Sequence, residues 1–306
     1  MSLPVEETID HLDSDKPLLR SKLVDLSNLS KEEMGIFKQR WATIETERRR
    51  QIVYRLVELA EDNAGLNFDS ILVSCLKDSD TEVRSKAIDG LWENEDVSLI
   101  NPLIYMLNKD SSEEVRAAAA AALGKFVMLA ELNKLRSSHA EKVSEVLLSV
   151  IGDKNEPVEV RRRALEAAAP LSTSQVRELI MEAYQSDDAK FRVSAVYAMG
   201  KNCDPSWLPA LLRELASPDV EMRYEAATAC GDLGEKEVVP CLVELINDTD
   251  TDVQLAAIQA LGKIGGDVAK ESLEQCLDNP SETIRLLAEE TLHELEVLEE
   301  PFSFRF

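Results

Sequence analysis

Apolar residues return at a fixed interval along the second half of the chain. Val160, Phe191, Met222, Val253 and Ile284 stand 31 residues apart. The residues directly after them are Arg161, Arg192, Arg223, Gln254 and Arg285. Three positions further on come Ala164, Ala195, Ala226, Ala257 and Ala288. One spacing held four times in succession predicts a stack of near-equal units, and a surface rather than a single pocket.

The unit is read best over residues 238–264. Val238 to Ile246 places apolar residues at helical spacing, with Pro240 tolerated in the first turn. Turn-forming residues follow from Asn247 to Thr251, and Asp250 stands at the expected N-cap of a second helix from Val253 to Leu261. Gly262 and Gly265-Gly266 are read as the end of that helix. The same order recurs upstream and downstream, with expected caps at Asp80, Ser112, Asp188, Asp219, Asp250 and Ser281. Only Pro157 departs from that pattern.

Each recurring slot has a packing reason. The alanine faces inward on the second helix, where a larger side chain would overpack against the next unit at about 1–3 kcal/mol. Arg84, Arg116, Arg161, Arg192, Arg223 and Arg285 are expected to form a structural ladder with acidic residues of adjacent turns. An anionic ligand is the competing use of the same residues.

The rhythm breaks in three places. Val115 to Val160 spans 45 residues, 14 more than the repeat needs. The surplus around Phe126 to Glu141 continues an apolar helical pattern, which predicts an extended or added helix followed by a turn at Ser137-Ser138. Residues 1–29 are polar without a repeat and are read as an extension, and 30–67 as a divergent capping repeat. The array proper is expected over 68–298, with its insertion near 125–141. Residues 299–306 are an aromatic tail that either caps the last unit or is captured by another protein. The Arg48-Arg49-Arg50 run reads as a solvated helix face.

Composition narrows the function. The chain of 306 residues carries a net charge of −24, and residues 201–306 alone hold 23 acidic against 8 basic side chains. Such a field repels phosphate backbones and anionic lipid, so no nucleic-acid and no membrane partner is expected, while a basic protein partner is permitted. There is no apolar run of 18 residues and no signal-peptide pattern, which makes a cytoplasmic location the expectation. The cysteines, Cys75, Cys203, Cys230, Cys241 and Cys276, form no C-x-x-C pair and read as small buried hydrophobes. No Gly-rich phosphate loop, H-E-x-x-H or G-x-S-x-G occurs, so no cofactor, metal or catalytic residue is assigned.

The stretches Asp219 to Ala227 with Gly231, and Asp252 to Ala257 with Ala260-Leu261-Gly262, resemble HEAT repeats, specifically the short bacterial subtype first associated with phycobilin lyases (PBS lyase HEAT-like). The resemblance covers roughly residues 68–295 and implies an all-α fold, a right-handed α-solenoid of stacked antiparallel helix pairs. Second helices would line its concave side, usually to bind protein. Deoxyhypusine hydroxylases of similar build use several His-Glu pairs, whereas this chain has only His293-Glu294. DNA glycosylases of similar build use a basic concave surface, which this acidic chain lacks.

The expected function is a non-enzymatic protein-binding scaffold or adaptor, taking a protein or peptide on an apolar strip of Val193, Tyr197, Tyr224, Leu255 and Leu286 with acidic edges. The alternative is a bilin lyase-like enzyme, or an accessory or regulatory subunit of an enzyme.

Overall fold

A computed structural model describes residues 4–14 and 16–299, and all regular secondary structure among them is helical. The chain divides into two compact units, Met1–Ala167 and Ala168–Phe306. The expected aromatic tail, 299–306, lies outside the described residues but for the last residue of the final helix.

The N-terminal unit begins with α1 (Pro4–Leu12) and α2 (Arg20–Val24), followed by α3 (Lys31–Trp41) and α4 (Thr46–Asp62). Next come α5 (Asp69–Cys75), α6 (Thr81–Asp89), α7 (Ile100–Lys109) and α8 (Glu113–Glu131). It closes with α9 (Ser137–Gly152) and α10 (Val158–Ala168). The C-terminal unit holds α11 (Ser174–Tyr184), α12 (Ala189–Asn202), α13 (Leu208–Glu214) and α14 (Val220–Leu233). It continues with α15 (Val239–Leu245), α16 (Thr251–Ile264), α17 (Asp267–Cys276) and α18 (Glu282–Glu299). Second helices stack on second helices: α4 on α6 and α6 on α8 in the first unit, and α12, α14, α16 and α18 in sequence in the second.

The repeat positions explain this stacking. Val160, Phe191, Met222, Val253 and Ile284 are buried, and all five slot alanines are fully so. Side-chain caps form at Asp80, Ser112, Asp188, Asp219 and Asp250, each accepting a backbone N–H two or three residues on.

Two readings of the sequence change here, at the N-terminal extension and at the turn before α9, while the expected helix extension is present. The N-terminal segment, read as a polar extension without a repeat, contributes packed helices: Val5, Ile9 and Leu12 of α1 are buried, α1 packs on α3, and α2 packs on α4. Its apolar residues are too few to show a period, yet they suffice to cover one end of a stack. The 14-residue surplus carries α8 two turns past Gly124 and lengthens α9. The turn falls at 132–136, so Ser137 and Ser138 open α9 instead of forming the turn.

The glycines also divide into two kinds. Gly200, Gly231 and Gly262 lie inside α12, α14 and α16 and do not end them. A Cβ on Gly200 would stand 2.6 Å from Ala229 Cα, and one on Gly231 would stand 2.8 Å from Ala260 Cα. Gly200 and Gly231 exist because the next second helix crosses there at near backbone contact, whereas a Cβ on Gly262 would meet the Thr291 side chain of α18. The chain reversal is made three residues later, where Cys203, Gly234 and Gly265 all have φ between 53° and 75°.

Candidate functional site

The face formed by second helices in the C-terminal unit carries an open groove between α14 and α16, of about 760 Å³. Val220, Tyr224 and Leu255 give it an apolar wall, and Asp219, Glu221, Asp250 and Asp252 surround them; no basic residue lines it. Asp219 and Asp250 are held in place as N-caps, accepting from Glu221 N (3.0 Å) and from Asp252 N (3.0 Å). The one arginine on the first turns of α14, Arg223, is turned away to Asp248 and leaves the acidic field uncompensated.

The expected strip is therefore only partly assembled. Tyr224 (39% exposed) and Leu255 share this groove. Leu286 is 57% exposed but lines a separate groove with Glu289, Glu290 and His293. Val193 is 4% exposed and does not reach the surface. Burial runs nearly around the circumference of α12, taking in Phe191, Ser194, Val196 and Met199, so the slot left open on later helices is covered there. Tyr197 is half-buried beneath the Lys201 ammonium, 5.4 Å from its ring centre. The equivalent slot in the N-terminal unit, Arg162, is tied to Glu159 at 2.8 Å.

The arginine slot does two jobs, one of which the sequence did not show. Arg84, Arg116, Arg192, Arg223 and Arg285 each donate to a main-chain carbonyl six residues earlier, on Asp78, Asp110, Ser186, Ser217 and Asn279. Gln254 does the same to Asp248 O at 2.7 Å, which explains why glutamine is tolerated in the slot. Arg161 donates to Ile151 O at 2.9 Å. The second job is the ladder: Arg84 forks onto Asp110 of the next unit (2.8 and 2.7 Å), and Arg223 onto Asp248 (2.7 and 2.8 Å). That pairing holds the Asp248 carboxyl below the ordinary carboxylate range. Arg116 meets Glu156 at 3.3 Å. Arg192 faces a slot filled by Ser217, which offers no charge.

Several working residues escaped the sequence reading. Arg49 is 7% exposed and pairs with Asp78 at 3.2 Å, so the basic run is a first ladder rung, not a solvated face. Arg50 forks onto Asp80, and Arg48 donates to the Leu12 and Lys16 carbonyls. Asp232 bridges Lys201 and Lys263, each at 2.7 Å. Burial opposes its ionisation, but the two ammonium groups outweigh this and hold its pKa low. The signal was present as Lys, Asp and Lys at the repeat interval, but long surface residues vary too freely to stand out.

Cys75, Cys230 and Cys276 are buried as expected, and burial pushes the Cys230 thiol up to about 12. Cys203 is exposed, because it occupies the helix-ending slot that glycine fills in later units. Among the described residues, no three His, Cys, Asp or Glu side chains are grouped to hold a metal ion. No helix among them is long and apolar enough to cross a membrane.

The family model for HEAT repeats matches residues 70–158 and 208–293, more than half of the chain. The chain belongs to the HEAT-repeat family. No curated protein sequence matches it. Among solved structures, the HEAT array is similar to the complex of CpcE and CpcF of phycocyanin lyase from Nostoc sp. PCC7120. Identity is 16%, the TM-score is 0.54, and the match covers 92% of this chain and 97% of that one. Kap95p, whose binding induces the switch loops of RanGDP to adopt the GTP-bound conformation, matches at 14% identity and a TM-score of 0.50. That match covers 95% of this chain and 46% of Kap95p. Importin beta matches at 17% identity and a TM-score of 0.50, over 95% of this chain and 44% of its own. At such identities the likeness is one of fold: an all-α solenoid of stacked helix pairs.

Proposed function

We propose that this protein is a non-enzymatic scaffold whose α14–α16 groove receives a basic peptide segment of a partner protein. The observation that carries the reading is the groove itself: Tyr224 and Leu255 as apolar contacts inside four carboxylates, with no cation among the lining residues. An exposed tyrosine beside an aliphatic side chain is the kind of anchor that concentrates binding energy. Carboxylates at the rim would select a lysine- or arginine-bearing partner and speed its approach.

The test is affinity capture with wild-type protein and with Tyr224→Ala combined with Asp252→Lys. A basic partner retained by the first and lost by the second supports the reading, with circular dichroism confirming an unchanged fold. Equal retention by both refutes it.

A second reading follows from the likeness to the CpcE–CpcF lyase complex: a bilin lyase-like protein or a subunit accessory to one. It requires tetrapyrrole binding, so visible absorption after mixing with a bilin decides it. A shifted, retained pigment band favours this reading, and an unbound pigment spectrum removes it.

A further inference from the structure

A second groove, opposite in character, lies in the N-terminal unit. It runs across α3, α5 and α7, the first helices of their pairs, and measures about 1280 Å³. Val73, Pro102 and Met106 contribute its apolar surface, and Tyr105 stands out from it at 68% exposure. Lys38, Lys77 and Lys109 surround them, all exposed and none in an ion pair.

The acidic residues of this groove are already committed. Asp78 pairs with Arg49 and accepts from Trp41 Nε1 at 2.7 Å, and Asp110 is forked by Arg84. What remains is a local field of three free ammonium groups on a chain whose net charge is −24. The arrangement is built twice in register, since Val73 and Tyr105, and likewise Lys77 and Lys109, stand 32 residues apart at equivalent places of successive units.

We propose that this groove binds an acidic polypeptide segment carrying apolar side chains. Neighbouring helices stand roughly 10 Å apart and an extended strand advances about 3.3 Å per residue. Carboxylates about three residues apart would therefore meet Lys77 and Lys109, with an apolar side chain between them against Tyr105 and Val73. A peptide fits better than a nucleic acid: the groove has one exposed aromatic ring for stacking, and the surrounding charge opposes a phosphate backbone. This surface is separate from the acidic groove of the C-terminal unit and stands or falls without it.

The experiment is fluorescence anisotropy of a short dye-labelled peptide bearing two glutamates about three residues apart around Leu-Phe, titrated with the full chain. Lys77→Glu with Lys109→Glu is expected to weaken binding at least roughly tenfold. Tyr105→Ala, a change at an exposed side chain that leaves the core intact, is expected to weaken it about threefold or more. Tyr224→Ala should leave it unchanged, and added salt should weaken the wild-type complex. The proposal is overturned if the lysine double variant binds as the wild type does, or if the peptide with lysine in place of glutamate binds equally well. It also falls if Tyr224→Ala abolishes binding, or if an oligouridylate of equal length binds more tightly at the same lysines.

Discussion

Replacing Gly231 by alanine separates two explanations of the same residue. If the glycine merely weakens a helix, alanine should stabilise the protein by about 1 kcal/mol through helix propensity. The structure demands the opposite sign. The added Cβ would stand 2.8 Å from Ala260 Cα and 2.9 Å from Ala260 Cβ, whereas carbon atoms pack best at about 3.5–4.0 Å. Neither partner atom can rotate away, so α16 must withdraw from α14. Overpacking of that kind costs about 1–3 kcal/mol, which offsets the propensity gain and leaves a net loss of up to about 2 kcal/mol. Gly35, exposed within α3 with nothing within 4 Å of its added Cβ, is the control. Gly35→Ala should stabilise by about 0.5–1 kcal/mol. Urea titrations followed by far-ultraviolet circular dichroism measure both. The reasoning fails if Gly231→Ala raises the midpoint as Gly35→Ala does.

Other expectations concern charges and thiols. Arg223→Ala strands the little-exposed Asp248 and uncaps Ser217 O, a loss of about 2 kcal/mol in urea titrations, whereas Arg55→Ala, at an exposed i,i+3 pair, should stay within about 0.5 kcal/mol. The carboxyls of Asp80 and Asp248 are held below their ordinary value of 3.8 by Arg50 and Arg223, and that of Asp204 is held at about 2 by Arg177. Groups with depressed folded-state pKa values stabilise above the unfolded value, so stability should be flat through neutral pH and fall from about pH 4 downward as they protonate; the urea midpoint measured against pH shows this. Native alkylation followed by mass spectrometry should label Cys203 first and leave Cys75, Cys230 and Cys276 unmodified. Cys203→Gly should raise the urea midpoint, corresponding to about 1 kcal/mol of added stability, because it relieves a left-handed residue.

What could be read in advance was whatever recurs. Buried anchors, slot alanines and caps reappear unit after unit, because each unit must solve the same stacking problem, so the period exposed them. Gly231 was visible as a repeat position, and its counterpart Gly262 was read as a helix end; only the crossing of α14 by α16 tells why Gly231 lacks a side chain. The arginines were expected to meet acidic residues of adjacent turns with no partner named, and the structure places Asp110 at Arg84 and Asp248 at Arg223. Their carbonyl contacts depend on how the turn folds back, which charge pattern does not encode. Val193 failed as a surface residue because the slot rule assumes every second helix has the same neighbours, and α12 is covered on more sides. The lysines around Tyr105 drew no notice because, counted against 58 acidic residues, they vanish in the total.

The arginine forks are unevenly distributed, and this grades how firmly successive units hold each other. Arg223 joins α14 to the turn before α16, but at the next junction Gln254 contacts only its own unit and the facing slot is Asn279. An array with nearest-neighbour coupling opens first where that coupling is weakest. Amide protons of α17 and α18 should thus exchange with solvent before those of α14 and α16, so that this helix pair opens while α14 and α16 remain closed.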